Sequence, residues 1–195
     1  VVAHPGHGLG RVLEQVPHEP GAGQDQAQPP GGVRQGRGLT WRIRMLIVQK
    51  FGGSSLASAE QFKKVGNIIR ADENRKYVVP SAPGKRFPED TKVTDMLYKC
   101  YAEAEAGKNI EKSLKAIEER YNEIIKGLGL KLSLKEQFET IKKNFEALAG
   151  KDYAASRGEY LNGIIMANYL GYEFIDAATV ICFDKDGEFD SEKTN

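Results

Sequence analysis

The chain has 195 residues and a formal net charge of +1, with 28 Lys and Arg against 27 Asp and Glu. That length fits one domain with a tail, and the near-neutral balance gives no basis for a nucleic-acid or anionic-membrane partner. The two cysteines, Cys100 and Cys182, lie far apart without metal-ligand spacing, which fits a reduced, cytoplasmic setting. No apolar run approaches transmembrane length, and the N-terminus lacks the apolar core of a secretory signal.

Residues 1–44 differ in kind from the rest. They hold nine of the 21 glycines, five of the eight prolines and all three histidines, and no lysine. Stretches such as Gln28-Pro-Pro-Gly-Gly32 bury too little surface to fold alone, so this segment is expected to be disordered or extraneous, with Met45 as the true start. Gly6-His-Gly8-Leu-Gly10 has no strand before it and the wrong spacing for a nucleotide loop. Residues 45–195 are expected to form the folded portion.

Leu46-Ile-Val48 reads as a buried strand, followed by Lys50, a glycine turn at Gly52-Gly53 and a helix start. Glycines let the backbone turn sharply and approach a ligand. Ser58 and Gln61 form a capping box for a helix to about Asp72, with Phe62, Val65, Ile68 and Ile69 inward. A helix N-terminus facing a glycine turn suits a phosphate, and Lys50 adds a full charge at the strand's end. It is not a Walker A loop, because the lysine precedes the glycines.

Tyr77 to Ala82 reads as a second strand and Pro83 to Asp90 as a loop. Thr94 opens a helix to about Ala106. Ile110, Leu114, Ile117, Tyr121, Ile124 and Leu128 mark an amphipathic helix stopped by Gly127 and Gly129. Ser133 and Glu136 read as a second capping box, before Leu134, Phe138, Ile141, Phe145 and Leu148 on one face. These apolar faces are read as core rather than partner sites. Tyr153 to Leu170 reads as a helix capped by Gly171, then Tyr172–Asp176 and Thr179–Phe183 as strands before a polar tail. Strands alternating with helices indicate an α/β fold with a largely parallel sheet.

Three stretches stand out together: Val48-Gln-Lys-Phe-Gly-Gly-Ser-Ser-Leu56, Ser81-Ala-Pro-Gly-Lys-Arg86 with Lys92-Val-Thr-Asp95, and Ser156-Arg-Gly-Glu-Tyr-Leu-Asn162. In this order and spacing they resemble aspartate kinases, members of the amino-acid kinase superfamily. The resemblance implies a three-layer α/β/α sandwich with a mainly parallel sheet, incomplete at its C-terminus. It covers about Met45 to Thr194, the N-terminal part of such a kinase domain. The Gly-rich second motif and the ACT regulatory domains of the family are absent.

The resemblance further implies transfer of the ATP γ-phosphoryl group to the β-carboxylate of L-aspartate, on the route to lysine, threonine and methionine, with Mg²⁺ as the accompanying ion. It places Lys50, Phe51, Gly52, Gly53 and Ser54 around the ATP phosphates, Lys50 being catalytic, and Thr94 and Glu159 on the amino-acid substrate. No protein metal ligand is identified, and the full-length enzyme is expected to form a homo-oligomer.

The residue types suit that chemistry. A carboxylate of ordinary pKa, about 3.9, is ionised at neutral pH and needs no general base. The difficulty is the repulsion of two anions, roughly 4 kcal/mol at 4 Å and an effective dielectric of 20. A lysine, backbone N–H groups and Mg²⁺ offset it. Glu159 suits an α-ammonium group, favouring a free amino acid over an acylated one. Arg157 is given no contact, and Lys85 and Arg86 are read equally as phosphate-facing or solvated. The incomplete pattern predicts little activity from this chain alone. The alternatives are another amino-acid kinase, acting on glutamate or carbamate, and a non-catalytic fragment that binds a separate catalytic half.

Overall fold

The computed structural model describes residues 1–4 and 46–194. Four strands form one sheet: β1 (Val2–Ala3), β2 (Ile47–Phe51), β3 (Arg75–Pro80) and β4 (Glu173–Phe174), in the order β2-β3-β1-β4. Strands β2 and β3 run parallel, with Gln49 opposite Val78 and Phe51 opposite Pro80. The α/β reading holds. Its mainly parallel sheet is interrupted by β1, which runs antiparallel to both β3 and β4.

Strand β1 also departs from the expectation that residues 1–44 stay outside the fold. Val2 and Ala3 are 0% exposed, and Val2 sits opposite both Val78 and Phe174. The reason is a vacant ladder between β3 and β4, whose N–H and C=O groups need partners. The Val1 amine donates to the Ile175 carbonyl at 3.0 Å, and the His4 N–H donates to the Lys76 carbonyl at 2.9 Å. The remaining part of that expectation, residues 5–44, lies outside the described residues.

The helices are α1 (Ala59–Arg70), α2 (Val93–Glu105), α3 (Glu111–Gly127), α4 (Lys135–Glu146), α5 (Lys151–Leu170) and the short α6 (Ser191–Thr194). Ser58 caps α1 as expected, its hydroxyl accepting from the Gln61 N–H at 3.4 Å. Two other cap readings shift. Lys92, not Thr94, is the N-cap of α2, so Thr94 falls inside the first turn. Leu134 is the N-cap of α4, and Ser133 instead accepts from the Lys135 N–H at 3.3 Å.

Helix α5 is central, packing on β1, β3, β4, α1, α2 and α4. It has no single apolar stripe because it is surrounded. Small residues let its neighbours close in: a Cβ on Gly158 would lie 2.6 Å from the Ala82 Cβ, and one on Gly163 2.6 Å from the Phe174 ring. Gly171 ends the helix at φ 71°, a left-handed cap that a branched side chain would strain.

Buried side chains from α1 to α5 share one core with Val78 of β3. Phe145 meets Tyr101 edge-on at 5.4 Å and Tyr153 at 6.3 Å between ring centroids. Cys100 lies in this core, and burial, with a smaller contribution from the charge of Glu103, pushes its thiol up to about 11.

The expected strand at Thr179–Phe183 does not form. Ala177–Thr179 is a 3-10 turn, and Phe183 makes only an isolated bridge to Phe189. Its apolar residues find no neighbouring strand, and Ile181 and Phe183 remain exposed.

Candidate functional site

Strand β2 ends at Phe51 and the chain turns at Gly52 into a 3-10 turn, Gly53–Leu56, before α1 begins. The glycine turn therefore feeds this short turn rather than α1 directly. Strand β3 ends beside it, and the Ser81 N–H donates to the Phe51 carbonyl at 3.0 Å. The two loops then touch backbone to backbone. The Gly84 N–H donates to the Gly53 carbonyl at 2.8 Å. A Cβ on Gly84 would lie 2.7 Å from the Gly53 carbonyl carbon, and one on Gly53 2.7 Å from the Ala82 carbonyl oxygen. Only glycine fits at either place.

Helix α5 supplies the third wall. The Glu159 carboxylate accepts from the Ala82 N–H at 3.3 Å. Asn162, one turn on and 0% exposed, donates from Nδ2 to the Ser81 carbonyl at 2.6 Å, while its Oδ1 has no partner. Helix α2 starts against the same loop, where the Val93 N–H donates to the Pro83 carbonyl at 3.1 Å.

These walls enclose a cavity of about 470 Å³ lined by Gly53, Ser54, Ser81–Gly84, Lys85, Lys92, Thr94 and Glu159. Two cations against one carboxylate make it electropositive. The N–H groups of Gly53 and Ser54 and the hydroxyl of Thr94 have no hydrogen-bond partner among the described residues. Such a set suits an anion at the glycine N–H groups, while Glu159 and Thr94 offer partners for an ammonium and a polar group. Glu159 is the one carboxylate in the lining, too few for a protein-held metal.

Gly53, Ser54, Thr94 and Glu159, from three separate motifs, are thus brought together. Lys50, Phe51 and Gly52 do not line the cavity. Phe51 packs against the core, and by strand alternation Lys50 lies on the opposite face with Val48, exposed at the end of β2. Gly52 has ordinary φ of −74° and nothing within 4 Å of a Cβ. Lys85 lines the cavity but donates to the Pro88 carbonyl at 3.0 Å. Arg86 turns away to Asp90 and Glu123, each at 2.8 Å. Arg157 lies between the rings of Tyr153 and Tyr160, at 4.4 and 4.6 Å from their centroids, outside the cavity.

Behind the cavity stand residues that sequence reasoning did not single out for the site. Arg120 of α3 is 4% exposed and pairs with Asp90 at 2.7 Å. Burial raises the Asp90 carboxyl, yet hydrogen bonds from the Arg86 N–H and guanidinium and from the Thr91 N–H outweigh it and hold it below the usual range. The buried Tyr121 hydroxyl donates to the Gly158 carbonyl at 2.8 Å, and burial, then the Glu159 charge, pushes its pKa well up. One signal for Arg120 existed: it falls three residues after Ile117 and four before Ile124, beside an otherwise apolar stripe.

A profile of the amino acid kinase family matches residues 45–194. The chain belongs to the amino acid kinase family. Aspartokinase 3 of Bacillus subtilis (strain 168) is 38% identical over 141 residues, which is 68% of this chain and 31% of that protein. The crystal structure of Clostridium acetobutylicum aspartate kinase is similar at 54% identity with a TM-score of 0.73, over 76% of this chain and 34% of that one. E. coli aspartokinase III, solved with aspartate and ADP, shares the fold at 23% identity and a TM-score of 0.62, over 76% of this chain and 36% of that one. This amino acid kinase chain thus spans about a third of the length of the relatives it matches. No helix among its described residues is long and apolar enough to cross a membrane.

Proposed function

We propose that this chain binds L-aspartate and the phosphates of ATP in the cavity of about 470 Å³, as part of a kinase that phosphorylates the β-carboxylate of aspartate. One observation carries this reading: Gly53, Ser54, Thr94 and Glu159, far apart in sequence, line one electropositive cavity. The likeness to aspartate kinases supports aspartate over glutamate or carbamate.

The chain's own residues do three things in this scheme. The N–H groups of Gly53 and Ser54, with Lys92, hold phosphate oxygens and offset the repulsion between two anions. Glu159, steadied by the Ala82 N–H, takes the α-ammonium group, and Thr94 donates to a substrate carboxylate. Lys50, exposed at the end of β2 and outside the cavity lining, is assigned to the phosphates only by the family resemblance. Mg²⁺, when bound with the nucleotide, spreads the charge of the transferring group. The chain spans about a third of its relatives' length, and ligand binding is the activity assigned to it.

Calorimetric titration of the 195-residue chain with L-aspartate tests the reading. Saturable binding is expected, at least tenfold weaker in Glu159→Gln, with glutamate and carbamate failing to compete. Inorganic pyrophosphate is expected to bind more weakly to Lys50→Ala. No aspartate binding by the wild-type chain refutes the reading, and unchanged pyrophosphate affinity removes Lys50 from it.

A further inference from the structure

We propose that Arg120 is a positioning residue that holds the two glycine loops of the cavity at contact distance. Its relevance to ligands rests on the functional reading above; its effect on the loops does not.

The guanidinium reaches three segments. Nη2 donates to the Gly84 carbonyl at 2.8 Å and to the Ala57 carbonyl at 3.2 Å. Nη1 donates to Asp90 Oδ2 at 2.7 Å. Ala57 follows directly on the 3-10 turn that begins with Gly53, and Gly84 belongs to the opposing loop. One buried cation therefore ties both cavity lips to α3. Asp90 completes the tie, because the same carboxylate oxygen accepts from the Arg86 N–H at 2.9 Å and closes the loop that carries Gly84.

Stability alone is a poor reason for this arrangement. Burying an ion pair costs desolvation that a well-packed apolar group avoids, and Arg120 Nε is left without a partner. What the arginine supplies is geometry: a planar fork meets two carbonyls and a carboxylate in fixed directions. A lysine keeps the charge and can pair with Asp90, but a single ammonium cannot reproduce the fork.

The test is Arg120→Lys in the full chain, read by amide hydrogen exchange and by pyrophosphate titration. Ile141→Val, in the core face of α4, serves as a control that lowers stability away from both loops. In Arg120→Lys the Gly84 amide, bonded to Gly53, is expected to exchange at least tenfold faster while interior α5 amides keep their rates relative to the control. Pyrophosphate affinity is expected to fall about tenfold, with no fall in Ile141→Val. The proposal is overturned if Gly84 exchange is unchanged or rises only in step with α5. If Gly84 loosens while pyrophosphate binding stays at the wild-type level, Arg120 positions the loops but its relevance to ligands is overturned. If the wild-type chain binds no pyrophosphate, the functional reading fails, and the Gly84 exchange rate alone decides the positioning role.

Discussion

Gly52 and Gly53 are adjacent and read alike in sequence, yet the fold asks different things of them. Gly84 and Gly53 press backbone on backbone, so a methyl at residue 84 must displace the chain rather than a flexible side chain. Gly84→Ala is therefore expected to destabilise the fold by about 1–3 kcal/mol, the usual range for overpacking. Gly52→Ala meets nothing and is expected to stay within about 0.5 kcal/mol of wild type. Urea denaturation of both variants checks this, and equal losses would refute the contrast. At this scale the sequence was legible where a motif existed. Gly53, Ser54, Thr94 and Glu159 come from three motifs and meet in one cavity, whereas Lys50, Phe51 and Gly52, from the first of those motifs, do not line it. Arg120 could not be assigned a role, since Glu118-Glu119-Arg120 looks like the solvated side of an amphipathic helix. Its spacing from Ile117 and Ile124 hints at burial, but its partner, the Gly84 carbonyl, lies on a distant loop that no local pattern encodes.

Helices were more legible than strands. A helix satisfies its own backbone, so periodicity and caps suffice to place α1 through α5 within a few residues. A strand needs a neighbour. Thr179–Phe183 has the composition of one but lacks an adjacent ladder, and it remains a turn and a bridge. Helix α4 shows how the apolar stripe converts into stability. Phe138, Ile141 and Phe145 are its buried face, and Phe145 is 0% exposed between Tyr101 and Tyr153. Phe145→Ala removes a ring from a close-packed site and is expected to cost about 3–5 kcal/mol. The urea midpoint should fall with the slope unchanged; a loss under 1 kcal/mol would mean that α4 is not anchored there.

For the molecule as a whole, sheet order was the least legible property. Val2–Ala3 fills the ladder between β3 and β4, a pairing across more than seventy residues that neither composition nor periodicity announces. The family likeness, by contrast, was legible because motif order survives where register does not. The core closes over Cys100 and leaves Cys182 half-buried. A thiol shut away from water and held in its protonated form reacts with a disulfide reagent only when the entire fold opens. The chain thus carries its own stopwatch. Ellman's reagent is expected to consume one equivalent promptly in buffer and a second at the rate of global opening, both at once in strong guanidinium; two prompt equivalents in buffer would contradict a sealed interior.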